Sequence, residues 1–289
     1  MHYVELPPRA DLVDIVKCVW SFEAAARDAP RALERIVPDG CPELIIHYGA
    51  PFAEQTPSWG RQQQPRAFVM GQITRPLGLE SGQGDVGVLG VRFHPWGLRA
   101  LVGAPAHELL DSRLTLDDVL GASTVGLIDE IAYADGASQR SEVVQDLIAA
   151  RVGANARFHD AEVASWTRQL SHAAGRPGVT EIAGSAGVSL RHFERRFRAQ
   201  VGMPPRLFAN IVRFRSIFDR LMPDASPDWA HLALDAGYFD QPHLIRDFRR
   251  FVGCSPGAFV AEMNGLSAAL VGFDDGMSTR YNTHSSDVL

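Results

Sequence analysis

The sequence predicts an α+β protein of two domains: a β-rich N-terminal domain that ends in helices, then an all-helical C-terminal domain. Three observations predict it. Short apolar runs bounded by Gly, Pro, Ser and Gln occupy the first 95 residues, which is the pattern of strands. From Trp96 onward the apolar spacing changes to three and four residues, the period of helices. Residues 158–264 repeat themselves at a spacing near 50, and both copies carry only helix signals.

Residues 43–49 follow the turn-forming Pro38-Asp39-Gly40 and read as a strand, as do 68–70 and 87–93. Alternation along the first puts Ile45 and His47 on one face and Leu44, Ile46 and Tyr48 on the other. Residues 51–65 are rich in Pro and Gln and read as a loop. Helices are expected around Leu98, Leu101 and Val102, around Leu109 and Leu110, and around Leu127, Ile128 and Ile131. Residues 142–152 give another, with Val143, Leu147 and Ile148 on one face. Gly153-Ala154-Asn155 breaks the pattern, so the domains are expected at 1–154 and 155–264, with a polar tail at 265–289. In the second domain Asp160 can cap a helix carrying Val163, Trp166 and Leu170.

With 289 residues, 46% of them hydrophobic and 21% charged, the chain can bury two cores, which excludes wholesale disorder. No uncharged apolar run approaches the roughly 18–20 residues that span a bilayer. The N-terminus has neither a basic region nor an apolar one, so export is not expected. Cys18, Cys41 and Cys254 are far apart with no C-x-x-C spacing. No disulfide framework, structural zinc or other cofactor is expected, and a reducing cytoplasm is. The net charge of −6 argues against nucleic acid as a partner of the chain taken whole. Its distribution reverses that reading, because residues 1–157 carry −6, 158–264 carry +2 and 265–289 carry −2. The base is almost all arginine, a planar fork suited to phosphate and guanine; Lys17 is the sole lysine.

The repeat concentrates that charge. Ala183, Ala186 and Gly187 recur as Ala233, Ala236 and Gly237 at an offset of 50. Beyond the turn the offset becomes 51, one extra residue: Ser189 matches Asp240, His192 matches His243, and Arg195 matches Arg246. Phe197 matches Phe248, Arg198 matches Arg249, and Pro205 matches Pro256. Each copy has helix-turn-helix logic: a short helix, a glycine able to turn left-handed, then a capped second helix. Leu190, Phe193 and Phe197 face inward on the second helix of the first copy. Ser189, Arg191, His192, Glu194, Arg195 and Arg198 remain for the outside. In the second copy Gln241, Pro242, His243, Arg246, Arg249 and Arg250 do. A single charged face is more often just solvated. Two in register, joined by a helix over about 205–221, suit two successive major grooves about 34 Å apart.

These residues also resemble a known family. The stretch Ala233-Leu234-Asp235-Ala236-Gly237-Tyr238-Phe239-Asp240-Gln241-Pro242-His243, then Phe248 and Gly253-Cys254-Ser255-Pro256, is similar to the most specific motif of the AraC/XylS transcriptional regulators. The resemblance implies helix-turn-helix units at about 179–201 and 229–251. It implies double-stranded DNA as partner, and RNA polymerase if the protein is an activator. It puts base reading on Arg191, Glu194 and Arg195 and on Gln241, Pro242 and Arg246. Pro242 departs by lacking a donor, so its base contact has to be apolar, as to a thymine methyl. Residues 38–45 and 90–95 resemble, more distantly, the N-terminal domain of a subset of such regulators. In the wider family this position holds a cupin-like sensor or dimerisation module, which implies a small-molecule effector and a homodimer.

Within the N-terminal domain, His47, Tyr48, His94 and Trp96 are the candidate effector-pocket residues, with Trp20 and Trp59 as further walls. Cys41, His47 and His94 have no metal-ligand spacing, and no catalytic residue is expected. Two alternatives stay open at this point. The domain could act chemically through Cys41, as an alkyl acceptor or redox sensor, or serve as a ligand-free dimerisation module.

Overall fold

The computed structural model describes residues 1–29, 33–56, 60–175, 178–219 and 227–262. Strands come first: β1 (His2–Leu6), β2 (Val16–Ala24), β3 (Glu34–Ile36), β4 (Glu43–His47), β5 (Ala53–Thr56), β6 (Gly60–Gln63), β7 (Ala67–Met70), β8 (Leu77–Glu80), β9 (Val86–Phe93) and β10 (Arg113–Thr115). They form two antiparallel sheets, one in the order β1-β2-β9-β4-β7-β10 and one in the order β3-β8-β5-β6.

The large sheet is buried on both faces. Val19, Leu44, Ile46, Val69, Leu89 and Val91 point into one core, while Trp20, Phe22, Ile45, Phe68 and Val88 point into another. Double burial explains why its strands read as continuous apolar runs. The faces of β4 fall as alternation requires, with Ile45 opposite Leu44 and Ile46. The first core is covered by α1 (Leu98–Val102), α2 (Leu116–Leu120), α3 (Val125–Tyr133) and α4 (Gly136–Ala154), through Leu101, Leu116, Ile131 and Ile148 among others. The second lies between the sheets and takes Leu77 from β8, with Ile36 and Leu79 packed against it.

Two expectations need correction. Residues 51–65 are not a plain loop, because they contain β5 and β6, paired from Ala53↔Gln63 to Thr56↔Gly60. All four residues of β6 are exposed. Two polar strands, β6 at the sheet edge, offer no apolar alternation to read. Trp59 lies outside the described residues. Around Leu109 there is only a single 3₁₀ turn, Ala106–Leu109. Pro105 precedes it and Asp111 follows with φ 51°, leaving too little room for an α-helix.

The remaining helices are α5 (Ala161–His172), α6 (Val179–Ser185), α7 (Leu190–Val201), α8 (Pro205–Phe218), α9 (Trp229–Asp235), α10 (Gln241–Phe251) and α11 (Pro256–Glu262). Asp160 caps α5 by accepting from the Val163 amide at 3.2 Å. The joining helix is α8; the end of its expected span, residues 220–221, lies outside the described residues, as does the 265–289 tail. Its apolar stripe, Phe208, Ile211, Phe214 and Ile217, is buried between the two units. Phe214 meets Phe248 at 5.1 Å and Phe251 at 5.2 Å. Burial of such rings is the main stabilising force here; truncating one costs about 3–5 kcal/mol. Val37 of the β-rich domain joins this core, so the two domains are packed on each other.

Candidate nucleic-acid interface

Each unit is a short helix, a tight turn and a longer helix. In the first, α6 buries Val179, Ile182 and Ala183. Gly187 takes φ 67°, a conformation that side chains rarely adopt. Ser189 caps α7, its Oγ accepting from the His192 amide at 3.3 Å. In the second, Gly237 takes φ 80°, and Asp240 caps α10 by accepting from the His243 amide at 2.7 Å. Phe193 and Phe197 of α7 and Leu244, Phe248 and Phe251 of α10 face the core.

The outer faces are arginine-rich. Arg191, Arg195 and Arg198 are exposed on α7; Gln241, Pro242, Arg246, Arg249 and Arg250 are exposed on α10. Among the described residues, no carboxylate lies within ion-pair distance of these arginines. Several arginines elsewhere are ion-paired: Arg9 with Asp11 and Asp146, Arg61 with Glu80, Arg113 with Glu54, Arg140 with Glu23. His192 and Glu194 are half-buried, and His192 Nδ1 lies 3.4 Å from Arg195 Nη2. His243 meets the Tyr238 ring edge-on at 5.0 Å.

Two charged residues within these helices leave the outer face. Arg196 turns toward α5, where it donates to Asp160 at 3.0 and 2.7 Å, pairs with Glu162 at 2.6 Å and lies over the Trp166 ring at 4.9 Å. Asp247 turns inward to 8% exposure, and burial pushes its carboxyl above the usual range. The outer face of α10 thus carries Arg246, Arg249 and Arg250, with no carboxylate within ion-pair distance among the described residues. Helical spacing sets both Arg196 and Asp247 beside the inward stripe, three residues after Phe193 and Leu244; their partners come from the fold.

The β-rich domain holds both long helices near their C-terminal ends. Gln200 of α7 is fully buried and donates to the Trp96 carbonyl at 2.9 Å, and Arg99 donates to its Oε1 at 3.3 Å. Just beyond α10, Cys254 Sγ accepts from Arg35 Nη1 at 2.9 Å. From Arg191 to Gln200 is about 13 Å of helix, so the grip leaves the leading turns of α7 uncovered.

Between the sheets lies a cavity of about 100 Å³ that opens to solvent. Its walls include Trp20, Ile45, Phe52, Phe68, Leu77 and Val88, and its charged lining is Arg35, Asp39, Glu43 and Arg92, joined by Arg215 from α8. Arg92 pairs with Glu43 at 2.9 Å and lies 3.7 Å from Asp39. Burial raises the Glu43 carboxyl, and Arg92 acts against that. None of His47, Tyr48, His94 and Trp96 lines this cavity. His47 is on the expected face but sits behind Phe52 and Phe68, at 5.4 and 6.2 Å between rings, with Nε2 3.0 Å from Gln64 Oε1. Burial lowers its pKa to about 4. Tyr48 donates to Glu23 at 3.0 Å under the Arg140 guanidinium, and burial pushes it up to about 12. His94 stacks on Trp96 at 4.8 Å, and Trp96 Nε1 donates to the Asp14 carbonyl at 2.8 Å. Cys41 does line the cavity. Burial, helped by Asp39, pushes its thiol up to about 11, which works against a reactive thiolate at neutral pH.

Among the described residues, no cluster of three His, Cys, Asp or Glu could hold a metal ion, and no helix is long and apolar enough to cross a membrane. Residues 182–262 match a family model described as a helix-turn-helix domain, and residues 4–115 match a domain of unknown function, DUF6597. No curated protein matches the chain. Among solved structures, the chain is similar to ToxT from Vibrio cholerae at 9% identity and a TM-score of 0.46, over 86% of this chain and 98% of that one. A second ToxT structure matches at 8% identity and 0.44, over 85% and 97%. ToxT with a bound unsaturated fatty acid matches at 10% and 0.45, over 86% and 95%.

Proposed function

We propose that this chain, whose residues 182–262 belong to the AraC-type helix-turn-helix domains, is a sequence-specific DNA-binding transcription regulator that answers to a small molecule through its β-rich domain. One observation carries the DNA reading: two capped helices in repeat register expose arginines that have no carboxylate within ion-pair distance among the described residues. Such cations are available to phosphates and to guanine edges. The roles follow from position on each helix. Arg191, Arg195, Gln241 and Arg246 stand on the leading turns and read bases, with Pro242 beside them. Arg198, Arg249 and Arg250 stand further along and meet phosphates.

The effector reading rests on the cavity. Arg215 reaches it from α8, which joins the two units, and Arg35 reaches it while bonded to Cys254 behind α10. An occupant would touch both groups and so bias how the units are set. A homodimer and contact with RNA polymerase are further parts of the proposal.

Selection of binding sites from a random duplex pool tests the DNA reading. We expect an enriched sequence bound at about 10–100 nM or tighter, with affinity falling steeply as salt rises. Recovery of no enriched sequence, with only weak and sequence-blind binding, would sink it.

A further inference from the structure

Phe239 stands out among the residues to which the DNA reading gives no role. Backbone hydrogen bonds locate the extra residue of the second unit. The Val188 amide donates to the Ala183 carbonyl at 3.1 Å, and the Tyr238 amide to the Ala233 carbonyl at 2.8 Å. Up to that bond the two units run at an offset of 50. The capping bonds, His192 amide to Ser189 Oγ and His243 amide to Asp240 Oδ1, stand at 51. The inserted residue is therefore Phe239. It lies between a buried residue, Tyr238 at 3% exposure, and the cap of α10, and is itself 87% exposed.

An uncovered phenyl ring at this place is chemically specific. It adjoins the leading turn of α10, where Gln241 and Pro242 are also exposed. Pro242 carries no amide hydrogen, so Phe239 and Pro242 together make the leading edge of the second unit apolar. The first unit has no counterpart: Ser189 and Arg191 stand there, both exposed and polar. The leading turn of a recognition helix meets base edges in the major groove. The one apolar group that the bases present there is the thymine 5-methyl.

Resting on the DNA-binding reading above, we infer that Phe239 is a specificity-determining residue that packs on thymine 5-methyl groups in the half-site of the second unit. The two half-sites are then read differently, the first by arginine and the second in part by apolar contact.

The test uses the full chain and a site enriched from a random duplex pool. The second half-site is identified as the one where Arg246→Ala loses discrimination. Each thymine in it is replaced in turn by deoxyuridine, which removes the methyl and keeps every hydrogen-bonding group. For the wild-type chain, anisotropy titrations should show about threefold to tenfold weaker binding at one or two of these positions. Phe239→Ser, an exposed change that leaves the circular dichroism intact, should bind the thymine site weaker by a similar factor and lose its response to deoxyuridine. An unaltered wild-type affinity at every substituted thymine overturns the inference. So does a Phe239→Ser chain that still responds to deoxyuridine, or an enriched second half-site without thymine. A ring that packs on the sugar-phosphate backbone gives a different result, equal weakening on all duplexes with no methyl dependence, which also overturns it. If the wild-type chain enriches no sequence, the DNA reading itself has failed, an outcome distinct from the others.

Discussion

Arg195 and Arg196 are neighbours on α7, yet their substitutions should give opposite signatures. Arg196 makes two charge-assisted hydrogen bonds to Asp160 at 3.0 and 2.7 Å and covers the Trp166 ring at 4.9 Å. Its side chain is 25% exposed and that of Asp160 20%, so the pair is partly shielded from water. Charge-assisted bonds of this kind contribute about 1.5–3 kcal/mol, and a partly exposed cation–π contact about 0.5–1 kcal/mol. Glu162 is 68% exposed and adds little. Arg196→Ala should therefore lower the unfolding free energy by about 2–3 kcal/mol. Urea denaturation of the full chain, followed by tryptophan fluorescence, measures it. Where the variant remains folded, its DNA affinity should stay within about twofold of wild type. Arg195 is exposed and unpaired with any carboxylate. Arg195→Ala should leave stability within about 0.5 kcal/mol and weaken specific DNA binding by about 1–3 kcal/mol, a factor of roughly 5–150. A destabilised Arg195→Ala chain with normal DNA affinity, or an Arg196→Ala chain of full stability that binds DNA poorly, would refute the division of labour on this helix.

Two further predictions concern the β-rich domain. His47 titrates near 4 when folded, against an ordinary 6.5, so folding favours its neutral form. That contribution is fully present above about pH 6.5 and is lost as pH falls toward 4. At about 1.4 kcal/mol per unit it amounts to about 3 kcal/mol. His47→Gln should flatten the fall in unfolding free energy between pH 7 and pH 4 by that amount; an unchanged slope would show that His47 is not held neutral. Gly90 pairs with Trp20 across β2 and β9, and a Cβ placed there would stand 2.0 Å from the indole. The ring is held by the Glu43 carboxylate at 3.2 Å, so Gly90→Ala should cost about 1–3 kcal/mol and alter the near-ultraviolet circular dichroism. Wild-type stability together with an unaltered tryptophan signal would contradict this packing.

The C-terminal domain was legible in the sequence because its signals are local. Glycine, cap and apolar spacing fall within a few residues of one another, and the second copy repeats them. The faces of β4 were legible for the same reason, since alternation depends on the backbone alone. The hairpin β5–β6 was not, because short polar strands are paired by partners rather than by pattern.

What the sequence determined by itself is the existence of two helix-turn-helix units, their caps at Ser189 and Asp240, and the helix that joins them. Tertiary structure decided which partners the inward-leaning charges meet. Spacing leans Arg196 toward the inward face of α7 and Arg195 away from it, but only the approach of α5 supplies Asp160 and makes Arg196 a structural clasp. Asp247 falls on the buried stripe of α10 with Leu244, Phe248 and Phe251, and its burial there is set by the core it enters. The cavity is likewise a product of packing, because Trp20, Arg35, Phe68 and Arg215 converge from distant segments. Local spacing is set by backbone geometry, whereas the company a side chain keeps depends on which distant elements the folded chain brings against it.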